Sequence, residues 1–438
     1  MFLQALAVRL GVCGGRDLAQ ACATALPHWA RLLLWASAEV AMCATDLAEV
    51  IGFAVALRLL TGWPAWAGVA LAAGDTLLML ALPAGRFGAR LVEVLAAALV
   101  AVIALCFLVQ LVVAAPSGSE IGAGLLPSGV LVADAGATLV AVGILGATVM
   151  PHNLYLHSAL VRTRRVLEEV VEGGGEGGEA AADADGGGGS GGDDVSAAGA
   201  VAASPAPAPP AEQPRGSEFV VGADPHGSHF PDPRAHPAAS WQQALTLAVW
   251  DSSLSLFGAF AINSSIVIIA AAVFHPAVAA GAMNADDAAS LEGAYRLLQP
   301  ALGPAAATLY AIALLCSGQS STFTGTMAGG VVMDGFLNIR LKPWLRRLLT
   351  RSVAIVPAAV VVAATGERGL DDLLVLSQVT LAFQLPFAVF PLVYFTASKT
   401  RMGPYALSAP SAALGWAIAF GIVGMNLYLA SNLFKGGH

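Results

Sequence analysis

A short stretch, GATVMPHNLYLHSAL (residues 146–160), places a proline, a methionine, an asparagine and two histidines inside a long apolar run. Pro151 has no amide hydrogen and its ring disfavours the preceding helical turn, so the carbonyl groups near Ala147 and Thr148 are expected to lose their hydrogen bonds. The thioether of Met150 is a soft ligand that suits late transition metals better than Mg²⁺ or Ca²⁺. A freed carbonyl beside a thioether indicates half of a metal site, and the alternative is that Met150 only packs.

An acidic stripe is the second group of residues that could do chemistry. In AEVAMCATDLAEVIG (residues 38–52), Glu39, Asp46 and Glu49 are separated by seven and three positions, which puts all three on one helical face. Carboxyl groups in a membrane helix are typical of a proton or cation path. The alternative is that Glu39 lies at the membrane interface while the other two pair with arginines. His152 and His157 are each either proton carriers or packed imidazoles.

Side-chain amides in two later apolar segments provide further oxygen donors. WDSSLSLFGAFAINSSIV (residues 250–267) contains Asn263, and LSQVTLAFQLPFAVFP (residues 376–391) contains Gln378 and Gln384. Asn263 and Gln384 could complete a cation site, because amides donate oxygen without charge. The alternative is that they form interhelical hydrogen bonds only.

The composition predicts the elements that must position these groups. Hydrophobic residues make up 57% of the chain, charged residues only 11%, and the mean hydropathy is +0.73, so we expect an integral, multi-pass, all-α membrane protein. A plasma-membrane and an endomembrane location are not distinguished by the sequence. Apolar stretches of bilayer-spanning length recur at about 30–58, 64–83, 91–114, 135–161, 242–274, 302–333, 344–364, 372–397 and 406–432.

These stretches divide the chain into three parts. Residues 1–165 and 239–438 are predicted to be membrane helices, and residues 166–238 are rich in Gly, Ala, Pro and acidic residues, as is typical of a disordered insert. Arg and Lys are enriched in every second loop, which predicts that those loops and the insert face the cytosol. No nucleophile triad or phosphate loop occurs in the sequence, so we do not expect an enzyme. We expect the lipid bilayer as a partner and no nucleic acid.

Four segments resemble the natural resistance-associated macrophage protein (NRAMP) family of proton-coupled divalent metal transporters. ATDLAEVIG is similar to the third helix of the family, MPHNLYLHSALV to its sixth and LLVLSQVTLAFQLPFA to its tenth, and GQSSTFTGTMAGGVVMDGF (residues 318–336) to its transport signature. The resemblance covers nearly the whole chain outside the insert. It implies a LeuT-like fold of two inverted repeats, whose first and sixth helices are unwound around the substrate.

The resemblance also implies roles for individual residues. The substrate is expected to be Mn²⁺ or Fe²⁺, moved toward the cytosol with protons by a monomer that needs no cofactor. The metal ligands that it implies are the carbonyl of Ala147, the sulfur of Met150 and, in some conformations, Gln384 and Asn263. The residues that match the proton-handling groups of the family are Glu39, Asp46, Glu49 and His152, with Arg347 and Arg351 as salt-network partners.

One departure from the family pattern affects these expectations. The Asp-Pro-Gly-Asn motif of the first helix, which supplies the anionic metal ligand, does not occur in this sequence, and Gly330 stands where the family has glutamine. We therefore expect a LeuT-like fold lacking the first helix, and only weak Mn²⁺ binding and no transport by the chain as printed, because the other implied ligands are neutral. The alternative function is a non-transporting membrane signalling or scaffold protein on the same fold.

Overall fold

The computed structural model describes residues 1–80, 86–126, 129–130, 134–162, 238–338, 343–365 and 368–435. In these ranges the regular structure is helical, with no strand, in agreement with the all-α prediction. The helices are α1 (Phe2–Gly14), α2 (Leu18–Ala25), α3 (His28–Thr61), α4 (Ala65–Leu80), α5 (Arg86–Ala114), α6 (Gly118–Gly124), α7 (Ala135–Val149), α8 (151–162), α9 (Ala238–Ala279), α10 (Ala285–Ala288), α11 (Leu291–Leu302), α12 (Pro304–Leu337), α13 (Pro343–Thr365), α14 (Arg368–Ala397), α15 (Lys399–Met402) and α16 (Ala409–Lys435), with a 3₁₀ turn at Gly403–Tyr405.

Six segments of the described chain are long and apolar enough to cross a membrane. They lie in α3, α5, the α7–α8 pair, α9, α14 and α16. The other three predicted spans are also helical, as α4, α12 and α13. The predicted insert, residues 166–238, lies outside the described residues except for Ala238, which begins α9.

Helix α3 lies at the centre of the bundle and packs against α4, α12, α13 and α14. Small residues permit two close contacts between the helices of this bundle. A Cβ atom at Gly318 of α12 would lie 3.4 Å from the carbonyl oxygen of Glu49 in α3, and one at Gly146 of α7 would collide with the backbone of Gln378 and Ala382 in α14. Small residues let membrane helices approach closely, so α3, α7, α12 and α14 form adjacent walls around the residues discussed below.

A polar network holds α2 against α8. The carboxylate of Asp17 caps α2 by accepting from the amide of Gln20 at 2.9 Å, and it accepts from Arg162 of α8 at 3.3 Å. Arg162 also donates to the side-chain oxygen of Gln20 at 2.6 Å, and the amide of Leu18 donates to Ser158 Oγ at 2.9 Å. Asp17 is 2% exposed, and burial raises the pKa of its carboxyl to about 6 despite the neighbouring guanidinium.

This raised pKa predicts the sign of a pH effect on stability. Between pH 4 and pH 6 the folded protein holds a proton on Asp17 that the unfolded chain has released, so stability should fall by about 3 kcal/mol as pH rises through that window. Asp17→Asn is expected to remove this slope, measured as the thermal midpoint of the detergent-solubilised protein from pH 4 to 7. Glu120→Gln, at an exposed position of α6, is the control. An unchanged slope in Asp17→Asn would contradict the assignment.

Candidate metal-binding cavity

The helical path is interrupted at Met150, beside the proline that predicts the break. Met150 has φ 41° and ψ 108°, so α7 ends at Val149 and α8 resumes at residue 151. The Met150 amide still donates to the carbonyl of Gly146 at 3.2 Å. The next carbonyl, that of Ala147, would pair with the amide of residue 151 in a continuous helix, and Pro151 has none. The break therefore leaves a backbone oxygen available to a ligand.

A cavity of about 220 Å³ lies against this break. Its walls come from α3, α7, α12 and α14, with one residue, Leu291, contributed by α11. The residues that line it are Thr45, Ala48, Glu49, Gly52, Ala147, Met150, Leu291, Leu314, Ser317, Gly318, Ser321, Leu374, Gln378 and Leu381. Four elements far apart in the sequence thus meet around one small volume.

The cavity wall combines three kinds of metal donor. Ala147 and Met150 bring the carbonyl and the thioether that the sequence predicts, and Gln378 adds an amide. The buried Oε1 of Gln378 has no hydrogen-bond partner among the described residues, while its Nε2 lies 3.4 Å from Ser377 Oγ. An acceptor oxygen buried without a partner is costly unless a ligand pairs with it. A cation is such a ligand.

Glu49 adds a carboxylate to the same wall. It is 5% exposed and lines the cavity together with the neutral donors. The other two members of the acidic stripe are not among the lining residues: Asp46 is buried at 3% exposure, and Glu39 is half-buried. All three acidic residues lie on α3, and of the three only Glu49 is among the residues that line the cavity with the donors of α7 and α14.

The structure places Gln378, and not Gln384, on the cavity wall. Gln384 instead accepts a hydrogen bond from Ser37 Oγ at 2.5 Å, which joins α14 to α3. Six residues of an α-helix turn through about 600°, so the two glutamines point about 120° apart. The other implied ligand, Asn263, is exposed on α9 and donates to Thr148 Oγ1 at 3.4 Å without lining the cavity.

The two histidines of α8 have different surroundings. His152 is 1% exposed, and its Nδ1 has no hydrogen-bond partner in the part of the chain that the structure describes. His157 Nδ1 donates to Gln4 Oε1 at 2.6 Å, and its Nε2 lies 3.0 Å from Ser252 Oγ. His157 therefore bridges α1, α8 and α9. The side chains of Arg347 and Arg351 lie outside the described residues.

Sequence reasoning missed the contribution of α12 to this wall. Ser317, Gly318 and Ser321 line the cavity, and the last two belong to the GQSST segment of the predicted transport signature. Ser321 follows Gly318 by three residues and Ser317 by four, so the three residues lie on one side of α12.

No group of three His, Cys, Asp or Glu side chains able to hold a metal occurs among the described residues. The mixed set of sulfur, carbonyl, amide and carboxylate suits a cation that binds and leaves.

Comparison with known proteins shows which family this chain belongs to. The family model described as natural resistance-associated macrophage protein-like matches residues 1–432. The chain belongs to this family. It is 43% identical over 437 residues to the divalent metal cation transporter MntH of Brucella suis biovar 1, covering 100% of this chain and 79% of the relative. The corresponding protein of Bradyrhizobium diazoefficiens is 40% identical over 437 residues, with 100% and 80% covered.

Solved structures of this family share the fold. The manganese transporter of Eremococcus coleocola, crystallised with an aromatic bis-isothiourea substituted compound, aligns with a TM-score of 0.74 and 30% identity, covering 100% of this chain and 79% of that one. The LeuT-like transporter fold that the sequence predicts is thereby confirmed. The apolar helices and the family together identify an integral, multi-pass membrane protein of a transporter family and not an enzyme.

Proposed function

We propose that this protein is a secondary transporter that carries Mn²⁺ or Fe²⁺ across the membrane toward the cytosol, coupled to protons and acting as a monomer. The observation that carries the proposal is the cavity at the broken helix, where Met150, Ala147, Gln378 and Glu49 meet. Family membership and relatives named as divalent metal cation and manganese transporters support it. The metal is the substrate, and no cofactor is needed for the task.

The chemistry of the donors explains which ions pass. A thioether contributes little to binding of Mg²⁺ or Ca²⁺, which prefer oxygen, but it is accepted by softer transition metals. The amide oxygen of Gln378 and the carbonyl of Ala147 replace part of the hydration shell. The carboxylate of Glu49 on the same wall offsets part of the double positive charge. We therefore expect this chain to bind and move the metal, in place of the weak binding and absent transport that a wholly neutral set of ligands predicts. The donors come from three different helices, α3, α7–α8 and α14, so a small movement of one helix is enough to separate them and release the ion.

Proton coupling is assigned to the acidic stripe of α3. Asp46 and Glu49 are one helical turn apart and both buried, and a buried carboxyl group exchanges its proton when a cation approaches or leaves. Glu49 shares the cavity with the metal donors. Entry of a divalent cation would therefore favour loss of the proton from Glu49, and Asp46 is the next acceptor along the stripe.

The two glutamines of α14 provide a direct test of the metal site. Gln378→Ala is expected to weaken Mn²⁺ binding about tenfold, because it removes a buried oxygen donor from the cavity. Gln384→Ala, on the same helix but bonded to Ser37, is the matched control and should change binding less than twofold. The measurement is Mn²⁺ titration calorimetry on the purified protein, followed by uptake in proteoliposomes. Equal losses in both variants would contradict the assigned site.

A further inference from the structure

A second cavity, of about 270 Å³, lies between α5, α9, α11 and α12. Its walls are mostly apolar, with Phe107 from α5, Ile269 and Phe274 from α9 and Leu298 from α11 among the lining residues. No charged side chain is among the residues that line it. This surrounding favours a neutral occupant with an apolar body.

One buried amide breaks the apolar wall of this second cavity. Gln110 of α5 is 0% exposed, and neither its Oε1 nor its Nε2 has a hydrogen-bond partner among the described residues. Gln110 lies within an apolar membrane-span segment (Val94–Ala114), where an unpaired amide costs several kcal/mol. The Oγ of Ser290, also on the wall, already donates to the carbonyl of Asp287 at 2.7 Å and accepts from the amide of Gly293 at 2.8 Å. The Nε2 amide group of Gln110 can therefore donate to a ligand in the cavity, and its Oε1 can accept from one.

We propose that this second cavity is a binding site for a neutral amphipathic small molecule, with an apolar body and one carboxamide-like donor–acceptor pair that bonds to the Gln110 side chain. A primary carboxamide matches the Gln110 amide in a two-bond, head-to-head arrangement, in which each amide donates once and accepts once. The aromatic and aliphatic residues of α5, α9 and α11 surround the rest of the molecule. Nothing in this binding requires a metal ion.

The position of α11 links the second cavity to the metal cavity. Leu291, the first residue of α11, lines both volumes, and its amide donates to Asp371 Oδ1 of α14 at 3.3 Å. A molecule held against α11 restrains a segment that also forms part of the metal cavity wall. Occupancy of the second cavity should therefore slow metal uptake, a consequence that rests on the proposed transport function, whereas the binding itself does not.

Benzamide, a primary carboxamide on one aromatic ring, is the probe for the binding test, and toluene is its apolar counterpart. Binding to the purified full chain is measured by saturation-transfer NMR. The wild-type protein is expected to bind benzamide at least about tenfold more tightly than Gln110→Leu, which removes both hydrogen bonds. Gln299→Leu, at an exposed position of α11, is the matched control and should bind like the wild type. Toluene should bind Gln110→Leu at least as well as it binds the wild type.

Stability of the ligand-free protein gives a second and independent readout. Replacing an unpaired buried amide with leucine of similar size should raise the thermal midpoint, and benzamide should raise it in the wild type but not in Gln110→Leu. A lowered midpoint in Gln110→Leu would show that the amide has a protein partner and would overturn the proposal. Benzamide binding that is absent, or equal in the wild type and Gln110→Leu, would overturn it as well.

Extraction of the purified protein distinguishes two possible sources of a natural ligand, the membrane and the surrounding water. A molecule that enters from the membrane should co-purify and be detected by mass spectrometry of the organic extract, whereas one that enters from water should be removed by dialysis; both results agree with the site. Mn²⁺ uptake in the presence of benzamide then tests only the link through α11. Unchanged uptake despite benzamide binding would remove that link and leave the binding site standing.

Discussion

Met150→Ala is expected to lower the preference for Mn²⁺ over Ca²⁺ by about tenfold or more, with Ca²⁺ becoming an effective competitor of Mn²⁺ uptake. Met150 lies at the break between α7 and α8 and lines the metal cavity. Its sulfur is the one soft donor on that wall, and the remaining donors are oxygens, which hard cations bind well. Loss of the sulfur thus removes the interaction that separates the two classes of ion.

The measurement is radioactive Mn²⁺ uptake into proteoliposomes at increasing Ca²⁺ concentration. Met425→Ala provides the control, because Met425 is exposed on α16, away from the cavity. Met150→Cys should retain part of the selectivity, since a thiolate or thiol is also a soft ligand. If Ca²⁺ competes equally weakly in the wild type and in Met150→Ala, the thioether has a packing role only.

Glu49→Gln is expected to reduce uptake driven by an inward proton gradient about tenfold or more, while changing Mn²⁺ affinity less. The substitution preserves the size of a side chain that is 5% exposed but removes the group that gains and loses a proton. Because Glu49 is on the cavity wall with Ala147 and Met150, its protonation and the presence of the metal influence each other. The proton dependence of uptake should therefore be reduced more than the affinity for Mn²⁺.

Two measurements on the same protein separate these effects. Uptake is recorded in proteoliposomes with and without an inward proton gradient, and Mn²⁺ binding is recorded by calorimetry. Glu120→Gln, exposed on α6, should behave as the wild type in both. A Glu49→Gln variant that loses affinity as strongly as Gln378→Ala but still responds to the gradient would show that Glu49 contributes to metal binding only and carries no coupled proton.

The amino-acid sequence alone determined the local features of this protein. The apolar stretches predicted helices, because the backbone must satisfy its own hydrogen bonds in lipid, and Pro151 predicted the break that the structure has at Met150. The spacing of Glu39, Asp46 and Glu49 placed them on one helix. These features depend only on residues within a few turns of each other.

Only the tertiary structure decided which of these residues share a site. Gln378 and Gln384 lie in the same apolar helix, and the contacts that α14 makes with α3 and α7 direct Gln378 into the cavity and Gln384 toward Ser37. The same holds for Glu49, which reaches the cavity while Asp46 does not line it, and for Gln110, whose amide meets an apolar cavity formed by three other helices. Periodicity gives the direction of a side chain around its own helix, but the neighbouring helix that it faces is set by packing between segments distant in the sequence.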